Sequence, residues 1–366
     1  MNKIKGESIL SLAITKDIAS VNSVSDLAKK IQPLLGGPIA NIVQTILAGA
    51  IHLNASDIHL EPLEEGALIR MRLDGILYDV ITLPPKVHRP LLNRFKLLSG
   101  MKLNITDRAQ DGRFSVIQEE DSLSIEVRVS VIPAEYGEAM VARILNPKNL
   151  YRLEELGLRP DLLKLFRREI KKPHGMIIVT GPTGSGKTTT LYAFLRSIKS
   201  PEIKIITIED PIEYHLEGIE QTQVSKYYDF ANGLQAIVRQ DPDVILVGEI
   251  RDPTTCKIAL QAALTGHLVF TTLHTNDALG TIPRLMALQA EPHNIAPALN
   301  MAIAQRLVRR VCKKCAQEIR LSAKEAEKIR QELPASLPGL KLPEVKAGTK
   351  ILKAKGCPSC GGIGYK

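Results

Sequence analysis

One eight-residue stretch, GPTGSGKT from Gly181 to Thr188, restricts the fold and chemistry of this chain more than any other feature. It matches the pattern G-x-x-x-x-G-K-S/T in full, and it lies between an apolar run, IIVT, and a helical one, TTLYAFLRSI. In this strand–loop–helix context the glycines let backbone N–H groups surround phosphate groups, and the helix start adds the positive end of its dipole. The stretch therefore predicts a nucleotide-binding phosphate loop rather than a glycine-rich surface turn.

The side chains of this loop have distinct predicted roles. Lys187 is expected to reach the β- and γ-phosphates of ATP, and the hydroxyl of Thr188 is expected to bind Mg²⁺. The residues predicted to bind the nucleotide are Gly181, Thr183, Gly184, Ser185, Gly186, Lys187, Thr188 and Thr189.

The spacing of apolar runs predicts the fold around this loop. Four such runs, separated by longer helical stretches, lie at Met176–Thr180, Ile203–Ile208, Val244–Val247 and Leu268–Thr272. Continuous apolar runs are typical of strands buried on both faces. The pattern therefore predicts an α/β domain with a mostly parallel sheet and helices on both faces.

An α+β domain is predicted ahead of it. Apolar and polar residues alternate from Ser122 to Val131, which indicates a half-buried strand. The runs Ala67–Leu73 and Ile76–Leu83 are separated by Asp74-Gly75, a strong signal for a β-hairpin. The apolar stretch from Pro38 to Leu53 contains polar side chains and is too short to span a membrane, so we predict a buried helix there.

Two later strands end in acidic residues at the edge where an open α/β sheet binds its ligand. ITIEDPIE supplies Glu209, and DVILVGEIRD supplies Glu249. Gly248 occupies the position that usually holds a metal-binding Asp, so the second acid is displaced by one residue. Either acid could orient or deprotonate the attacking water. The alternative is that the acids of these two stretches, which also include Asp210 and Asp252, cap helices beginning at Pro211 and Pro253.

A histidine stands at each end of the next strand, in TGHLVFTTLHTNDA. His274 lies at the crevice end, where a side chain could sense the γ-phosphate, and His267 lies at the opposite end. A lone histidine is more often structural than catalytic. We predict a functional role for His274 and leave both interpretations open for His267.

Two Cys-x-x-Cys pairs, Cys312/Cys315 and Cys357/Cys360, have the spacing of a tetrahedral Cys₄ site. Such a site leaves no position for water, so we predict structural Zn²⁺; the alternative is four reduced thiols. The long stretch between the pairs requires an inserted element, for which we predict a helical hairpin containing residues 323–331. The fifth cysteine, at position 256, is predicted to be a core residue.

Taken in order, these motifs resemble those of the secretion ATPases of type II secretion and type IV pilus systems. The matching stretches are ASDIHLEP, RMRLDG, RAQDGRF, RVSVIPAEYGE, GPTGSGKTTTLYA, ITIEDPIEY, RQDPDVILVGEIRD and TGHLVFTTLHTNDA. The resemblance covers about residues 38 to 366, and the cysteine pairs favour the assembly and secretion branch over pilus-retraction relatives. Two departures are a short segment before the sheet domain, as in competence-type relatives, and an end at Tyr365-Lys366, where relatives continue, which suggests a shortened C-terminus.

The resemblance implies a homo-hexamer in which a PAS-like α+β domain precedes a RecA-like P-loop domain and a small zinc-bearing helical segment follows. The implied divisions are an N-terminal segment at 1–37, the PAS-like domain at 38–150, the ATPase domain at 151–305 and the zinc-binding segment at 306–366. The resemblance further implies catalytic roles for Glu209, Glu249, His274, Arg113 and Arg128, the two arginines approaching the phosphates, with His267, Arg70 and Arg72 as weaker candidates.

The implied function is ATP hydrolysis that drives assembly of pilin or pseudopilin filaments through an inner-membrane platform protein. The start MNKIKGESIL is a poor signal peptide, so we expect a cytoplasmic protein with at most peripheral contact with the inner membrane. The net charge of +9 permits an acidic partner, and the alternative function is a nucleic-acid translocase of the same P-loop class. No basic face interleaved with aromatic residues is found, so nucleic-acid binding is not expected. An intact Lys187 and Thr188 argue against a non-hydrolysing scaffold.

Overall fold

The computed structural model describes residues 6–119, 124–333 and 344–365. It divides into two compact units, one formed by Met1–Asn146 with Arg309–Lys366 and the other by Pro147–Val308. Within the described ranges, none of the helices has the length and apolar character that crossing a membrane requires.

The N-terminal part of the first unit, residues 6–119 and 124–146, is built on a seven-stranded sheet with four α-helices. Its strands are β1 (Glu7–Leu10), β2 (Asp57–Leu63), β3 (Gly66–Leu73), β4 (Ile76–Leu83), β5 (Gln110–Gln118), β6 (Ser124–Ala134) and β7 (Gly137–Leu145). Its helices are α1 (Leu12–Ile18), α2 (Val24–Ile31), α3 (Ile39–His52) and α4 (Pro85–Leu98). The strand order is β1-β5-β6-β7-β2-β3-β4, and the β1–β5 pair is parallel whereas the others are antiparallel.

Three local predictions for this unit are confirmed. The hairpin β3–β4 turns at Asp74 and Gly75, whose φ angles of 48° and 82° fit the two-residue turn that joins twisted strands. The buried helix is α3, and the alternating strand is β6 with every second side chain in the core. Ser122 and Leu123, at the start of the predicted strand, lie outside the described residues.

The N-terminal segment contributes elements that the sequence pattern did not predict. β1 alternates exposed and buried side chains and pairs in parallel with β5. The hydroxyls of Ser11 and Ser23 accept backbone N–H groups at the starts of α1 and α2, which fixes where these helices begin. Leu10 and Leu27 are buried in the same apolar cluster as the sheet strands, so this segment shares the core of the sheet.

The second unit is built on a six-stranded sheet with helices on both faces. Its helices are α5 (Pro160–Glu169), α6 (Lys187–Ile198), α7 (Phe230–Val238), α8 (Pro253–Leu264), α9 (Thr281–Ala287) and α10 (Pro292–Ala298). Its strands are β8 (Gly175–Thr180), β9 (Ile205–Glu209), β10 (Glu220–Gln223), β11 (Val244–Val247), β12 (Leu268–Leu273) and β13 (Leu299–Ala304). The order is β10-β9-β11-β12-β8-β13, and every neighbouring pair is parallel, which confirms the predicted sheet.

Separate apolar clusters cover the two faces of this sheet. On one face the packing includes Leu191 and Phe194 of α6, and on the other it includes Leu234 of α7 and Cys256 of α8. Helices on both faces, and a core position for Cys256, are therefore confirmed. All residues of β8, β9, β11 and β12 are buried, as continuous apolar runs predict.

The C-terminal segment carries a two-stranded antiparallel ladder, β14 (Gln317–Arg320) with β15 (Lys350–Lys353), and one helix, α11 (Ala323–Glu332). The predicted helix is confirmed, and Ser322 with Glu325 forms a capping box at its start. In the described part of the insertion, α11 lies between two paired strands, β14 and β15, and the second helix of the predicted hairpin is not found there. Residues 334–343 of the insertion lie outside the described ranges.

Candidate nucleotide-binding site and cysteine cluster

The phosphate loop leads from the carboxyl end of β8 to the start of α6 in the second unit. Gly181, Gly184 and Gly186 have φ angles of 143°, 75° and 85°, which residues with side chains rarely adopt. A Cβ atom on Gly181 would lie 2.5 Å from the carbonyl oxygen of Gln305, and one on Gly186 would lie 2.9 Å from Gln305 Nε2. Backbone conformation and close packing therefore both require glycine here.

Lys187 is the first residue of α6, and its ammonium group folds back over the loop. Nζ donates hydrogen bonds to the carbonyl oxygens of Gly181 at 3.0 Å and Pro182 at 3.1 Å. Burial lowers the pKa of Lys187, while the negative charges of Glu249 and Glu213 act in the opposite direction. An ammonium group held on weak neutral acceptors, with acids nearby, can exchange those acceptors for phosphate oxygens.

The remaining predicted loop residues differ in exposure. Thr183 is exposed, while Thr188 and Thr189 are half-buried on the first turn of α6. Ser185 is 4% exposed, and its Oγ has no hydrogen-bond partner among the described residues. A buried hydroxyl without a partner is costly unless a ligand or water satisfies it. This orphaned group, with the glycine cradle and Lys187, fits a bound nucleotide phosphate.

Glu249 follows β11 at the same edge of the sheet. Its carboxylate forms an ion pair with Arg251 and lies 3.3 Å from Nε2 of His274, which follows β12. The Glu249 side chain is 13% exposed, so one side of it can reach solvent. The structure thus brings Glu249 and His274 together. The negative charge of Glu249 also acts to raise the pKa of Lys187.

His267 lies at the opposite end of β12. Its Nδ1 is 3.1 Å from the carbonyl oxygen of Ala262 in α8. Leu268, the first residue of the strand, is in register with Gly175 at the start of β8, whereas the phosphate loop follows the end of β8. This histidine is therefore on the edge of the sheet away from the loop.

Glu209, at the end of β9, is buried rather than open to solvent. The residue as a whole is 3% exposed. Oε1 accepts hydrogen bonds from Thr207 Oγ1 at 2.6 Å and from Gln221 Nε2 at 3.1 Å, and Oε2 accepts one from the phenol of Tyr192 on α6. Burial raises the pKa of the Glu209 carboxyl, while these hydrogen bonds act to lower it.

Helix capping explains one acid of this edge. Asp252 accepts the backbone N–H of Thr255 at 2.9 Å and caps α8, which begins at Pro253. No helix begins at Pro211 in the described chain. Capping therefore accounts for Asp252 and not for Glu209.

Two residues at the loop were not singled out from the sequence. Gln305, after β13, accepts a hydrogen bond from Thr190 Oγ1 at 2.7 Å and packs against Gly186. Arg306 donates to the carbonyl oxygens of Asn276 at 2.7 Å and Gln305 at 2.9 Å, and its charge lowers the pKa of Lys187. The sequence marks Arg306 only as the start of a basic run, because its neighbours come from distant elements.

The predicted arginines lie in the first unit, on neighbouring strands of its sheet. Arg113 of β5 and Arg128 of β6 are directly opposite each other. Arg128 Nε donates to Oε1 of Glu126 at 2.9 Å, and an Nη atom of Arg113 is 3.8 Å from the same oxygen. The weaker candidates also contact acids: Arg70 pairs with Asp79, and Arg72 pairs with Asp57.

The four cysteines of the C-terminal segment form one cluster. Their Sγ atoms all lie within 4.8 Å of one another. Separations are 4.0 Å for Cys312–Cys357, 3.8 Å for Cys315–Cys360 and 3.7 Å for Cys357–Cys360. A tetrahedral Zn²⁺ with Zn–S bonds of about 2.3 Å places its sulfur ligands about 3.8 Å apart, so the cluster fits that metal.

Backbone groups favour the thiolate form of one ligand. Sγ of Cys360 lies 3.2 Å from the N–H groups of both Cys357 and Gly364. Burial acts to raise the pKa of Cys360, but hydrogen bonds from these backbone groups, and with the thiols of Cys357 and Cys315, bring it to about 7. The thiolate is the form that binds metal.

Comparison with known proteins identifies the family. The family model described as "Type II/IV secretion system protein" matches residues 35–366. This chain belongs to that family. It is 44% identical to the Type II secretion system protein E of Klebsiella pneumoniae over 333 residues, which cover 90% of this chain and 64% of that protein. It is 41% identical to the Type IV pilus assembly ATPase PilB of Thermus thermophilus over 88% of this chain and 35% of that protein.

Solved structures agree with this assignment and with the predicted fold class. The ATPase DotB of Legionella pneumophila matches with a TM-score of 0.60 and 27% identity, over 73% of this chain and 76% of that one. The pilus retraction motor PilT with bound ADP matches with a TM-score of 0.56 and 33% identity, over 74% and 80%. The predicted class, a RecA-like α/β domain with a PAS-like α+β domain and a cysteine-bearing segment, is confirmed. This chain spans less than two thirds of the length of the type II relatives.

Proposed function

We propose that this chain hydrolyses ATP and couples hydrolysis to the assembly of pilin or pseudopilin filaments, as type II secretion and type IV pilus systems require. The observation that carries the proposal is Lys187, held over a glycine cradle with the charge of Glu249 acting on it. The family relationship supports the same activity.

Each residue of the site has a part in this proposal. Lys187 and the backbone N–H groups of the loop bind the β- and γ-phosphates, and the Thr188 hydroxyl holds Mg²⁺. Bound Mg²⁺ would neutralise part of the negative charge on the phosphates. Glu249 orients or deprotonates the attacking water, and His274 holds the Glu249 carboxylate through their 3.3 Å contact. Glu209 belongs to the same site through its hydrogen bond with Tyr192 of α6.

Further assignments follow the family resemblance. We propose that Arg113 and Arg128 bring positive charge to the phosphates, and that the chain acts as a homo-hexamer with one nucleotide site per subunit. A structural Zn²⁺ on the four cysteines would hold the C-terminal segment. The cellular partners would be an inner-membrane platform protein and, through it, the pilin subunits, with the chain on the cytoplasmic face of that membrane.

Steady-state phosphate release from ATP tests the proposal. Lys187→Ala should abolish hydrolysis, because the lysine contacts phosphate and the loop carbonyls and does not support the core. Lys164→Ala, an exposed lysine of α5, is the matched control and should hydrolyse at the wild-type rate. Circular dichroism should be the same for all three proteins. Undiminished hydrolysis by folded Lys187→Ala would refute the assignment.

A further inference from the structure

The surroundings of Glu209 do not suit a residue that takes a proton from water. A general base must present a free lone pair within about 2.6–3.2 Å of the water it activates. Both Glu209 oxygens already accept buried hydrogen bonds, and the residue as a whole is 3% exposed. Glu249 also has a partner on each oxygen, Arg251 on Oε1 and His274 on Oε2, but both partners are exposed and can give way to water, and its own side chain is 13% exposed. Of the two acids, Glu249 therefore has the geometry of the base.

The donors to Glu209 connect three elements. Tyr192 belongs to α6, the helix that begins at Lys187, and Thr207 belongs to β9. Gln221 belongs to β10, at the edge of the sheet. Tyr192 is 1% exposed and Thr207 is 0% exposed, so these hydrogen bonds are shielded from water and are correspondingly strong.

The same donors also hold the loop between β9 and β10, residues 210–219. The amide of Gln221 donates to the carbonyl oxygen of Tyr214 at 3.0 Å and accepts the N–H of Leu216 at 2.8 Å. The Tyr192 ring meets the Tyr214 ring edge to face, with centroids 6.3 Å apart. Burial raises the pKa of the Tyr192 phenol, while hydrogen bonds from the backbone of Tyr214 and Glu213 act to lower it. Glu209 thus stands at the centre of contacts that fasten this loop to α6.

This loop also carries an acid, Glu213. The negative charge of Glu213 acts to raise the pKa of the Lys187 ammonium group, as the charge of Glu249 does. A loop of this length moves readily unless it is tied down. The position of Glu213 therefore depends on the hydrogen bonds made by Tyr192, Gln221 and Glu209.

We propose that Glu209 is a positioning residue that, with Tyr192 and Gln221, fastens the 210–219 loop to α6. The inference rests on the proposed ATP hydrolysis, in which Glu249 acts on water. Glu209 acts through hydrogen bonds and need not exchange a proton.

Replacements that keep or remove the acceptor atoms separate a positioning residue from a base. Glu209→Gln keeps a hydrogen-bond acceptor but cannot take a proton, and Glu209→Ala has neither property. We expect Glu209→Gln to keep kcat within about tenfold of wild type, whereas loss of a base costs about 10²–10⁴-fold. Glu249→Gln should show that larger loss in kcat, with binding of a fluorescent ATP analogue unchanged. Glu209→Ala should raise KM for ATP by about tenfold or more.

Hydrogen exchange of residues 210–219 supplies a readout that does not depend on catalysis. Tyr192→Phe keeps the ring and removes the hydroxyl donor, so exchange in this loop should rise by about tenfold or more, as it should in Glu209→Ala. Tyr228→Phe is the matched control. The Tyr228 hydroxyl donates to Thr222 Oγ1 at 3.2 Å, on the strand β10 that also carries Gln221, and it does not bond Glu209. Its exchange in 210–219 should match wild type.

Two results would overturn the proposal. One is a loss of kcat by 100-fold or more in Glu209→Gln with nucleotide binding and loop exchange unchanged, since that identifies a base. The other is wild-type exchange of 210–219 in both Tyr192→Phe and Glu209→Ala. Wild-type hydrolysis by Lys187→Ala would instead refute the proposed ATPase site, while the exchange measurements would still report on the loop.

Discussion

Replacing Cys312 with serine should prevent the C-terminal segment from binding the proposed Zn²⁺ and should unfold that segment. The four Sγ atoms lie within 4.8 Å of one another, with separations of 3.7, 3.8 and 4.0 Å recorded. A regular tetrahedron of sulfur atoms around Zn²⁺ has edges of about 3.8 Å. The cluster therefore already has the dimensions of a zinc site, and serine cannot replace a thiolate ligand.

The magnitude follows from how little apolar surface this segment buries. Among its described residues, the apolar side chains in the core are Cys312, Leu321, Ala326 and Cys360, and all of β15 is exposed. A buried leucine contributes about 2 kcal/mol. Ordering the backbone costs roughly 1–2 kcal/mol for each residue. A structural Zn²⁺ contributes on the order of 10 kcal/mol at neutral pH, so the metal decides whether the segment is folded.

Elemental analysis, thiol titration and hydrogen exchange together test this prediction. Wild-type protein should carry one Zn²⁺ per chain, and a chelator should expose four fast-reacting thiols. Cys256 should stay unreactive in folded protein, because burial raises its pKa to about 11. Cys312→Ser should lose the metal and exchange rapidly over 309–333 and 344–365, whereas Cys256→Ala, the matched control, should keep full zinc. Freshly reduced wild-type protein with four reactive thiols and no zinc would refute the reasoning.

The remaining predictions concern the loop, the first unit and the arginines. Gly181→Ala should abolish binding of a fluorescent ATP analogue, because its Cβ would lie 2.5 Å from a backbone oxygen; Gly36→Ala, with open space around it, should bind normally. Lys96→Met should destabilise the first unit by about 3–5 kcal/mol in thermal unfolding, because it leaves the Glu138 charge buried without its partner, and adding Glu138→Gln should recover part of that loss. Arg113→Ala should slow hydrolysis far more than it weakens ATP binding. Mixing it with Lys187→Ala should not restore activity; strong recovery would mean that the arginine acts on a neighbouring subunit.

Patterns within a short stretch of chain were sufficient to predict much of the fold. The apolar runs of the parallel sheet, the turn at Asp74-Gly75 and the phosphate loop all depend on residues close in sequence. β1 could not be predicted in the same way. It has four residues, and its partner β5 begins about a hundred residues later, so only the shared core decides that this segment forms a strand.

Local sequence pattern does not distinguish the roles of the two acids. Glu209 and Glu249 both follow buried strands of one sheet, and from sequence either suits the base equally well. What distinguishes them is contributed by Tyr192 on the preceding helix and Gln221 on the edge strand, which enclose Glu209. Glu249 is contacted by the exposed side chains Arg251 and His274, and its carboxylate remains partly open. Which acid meets water is thus decided by side chains on other elements, and replacing those side chains tests the assignment more directly than replacing the acids alone.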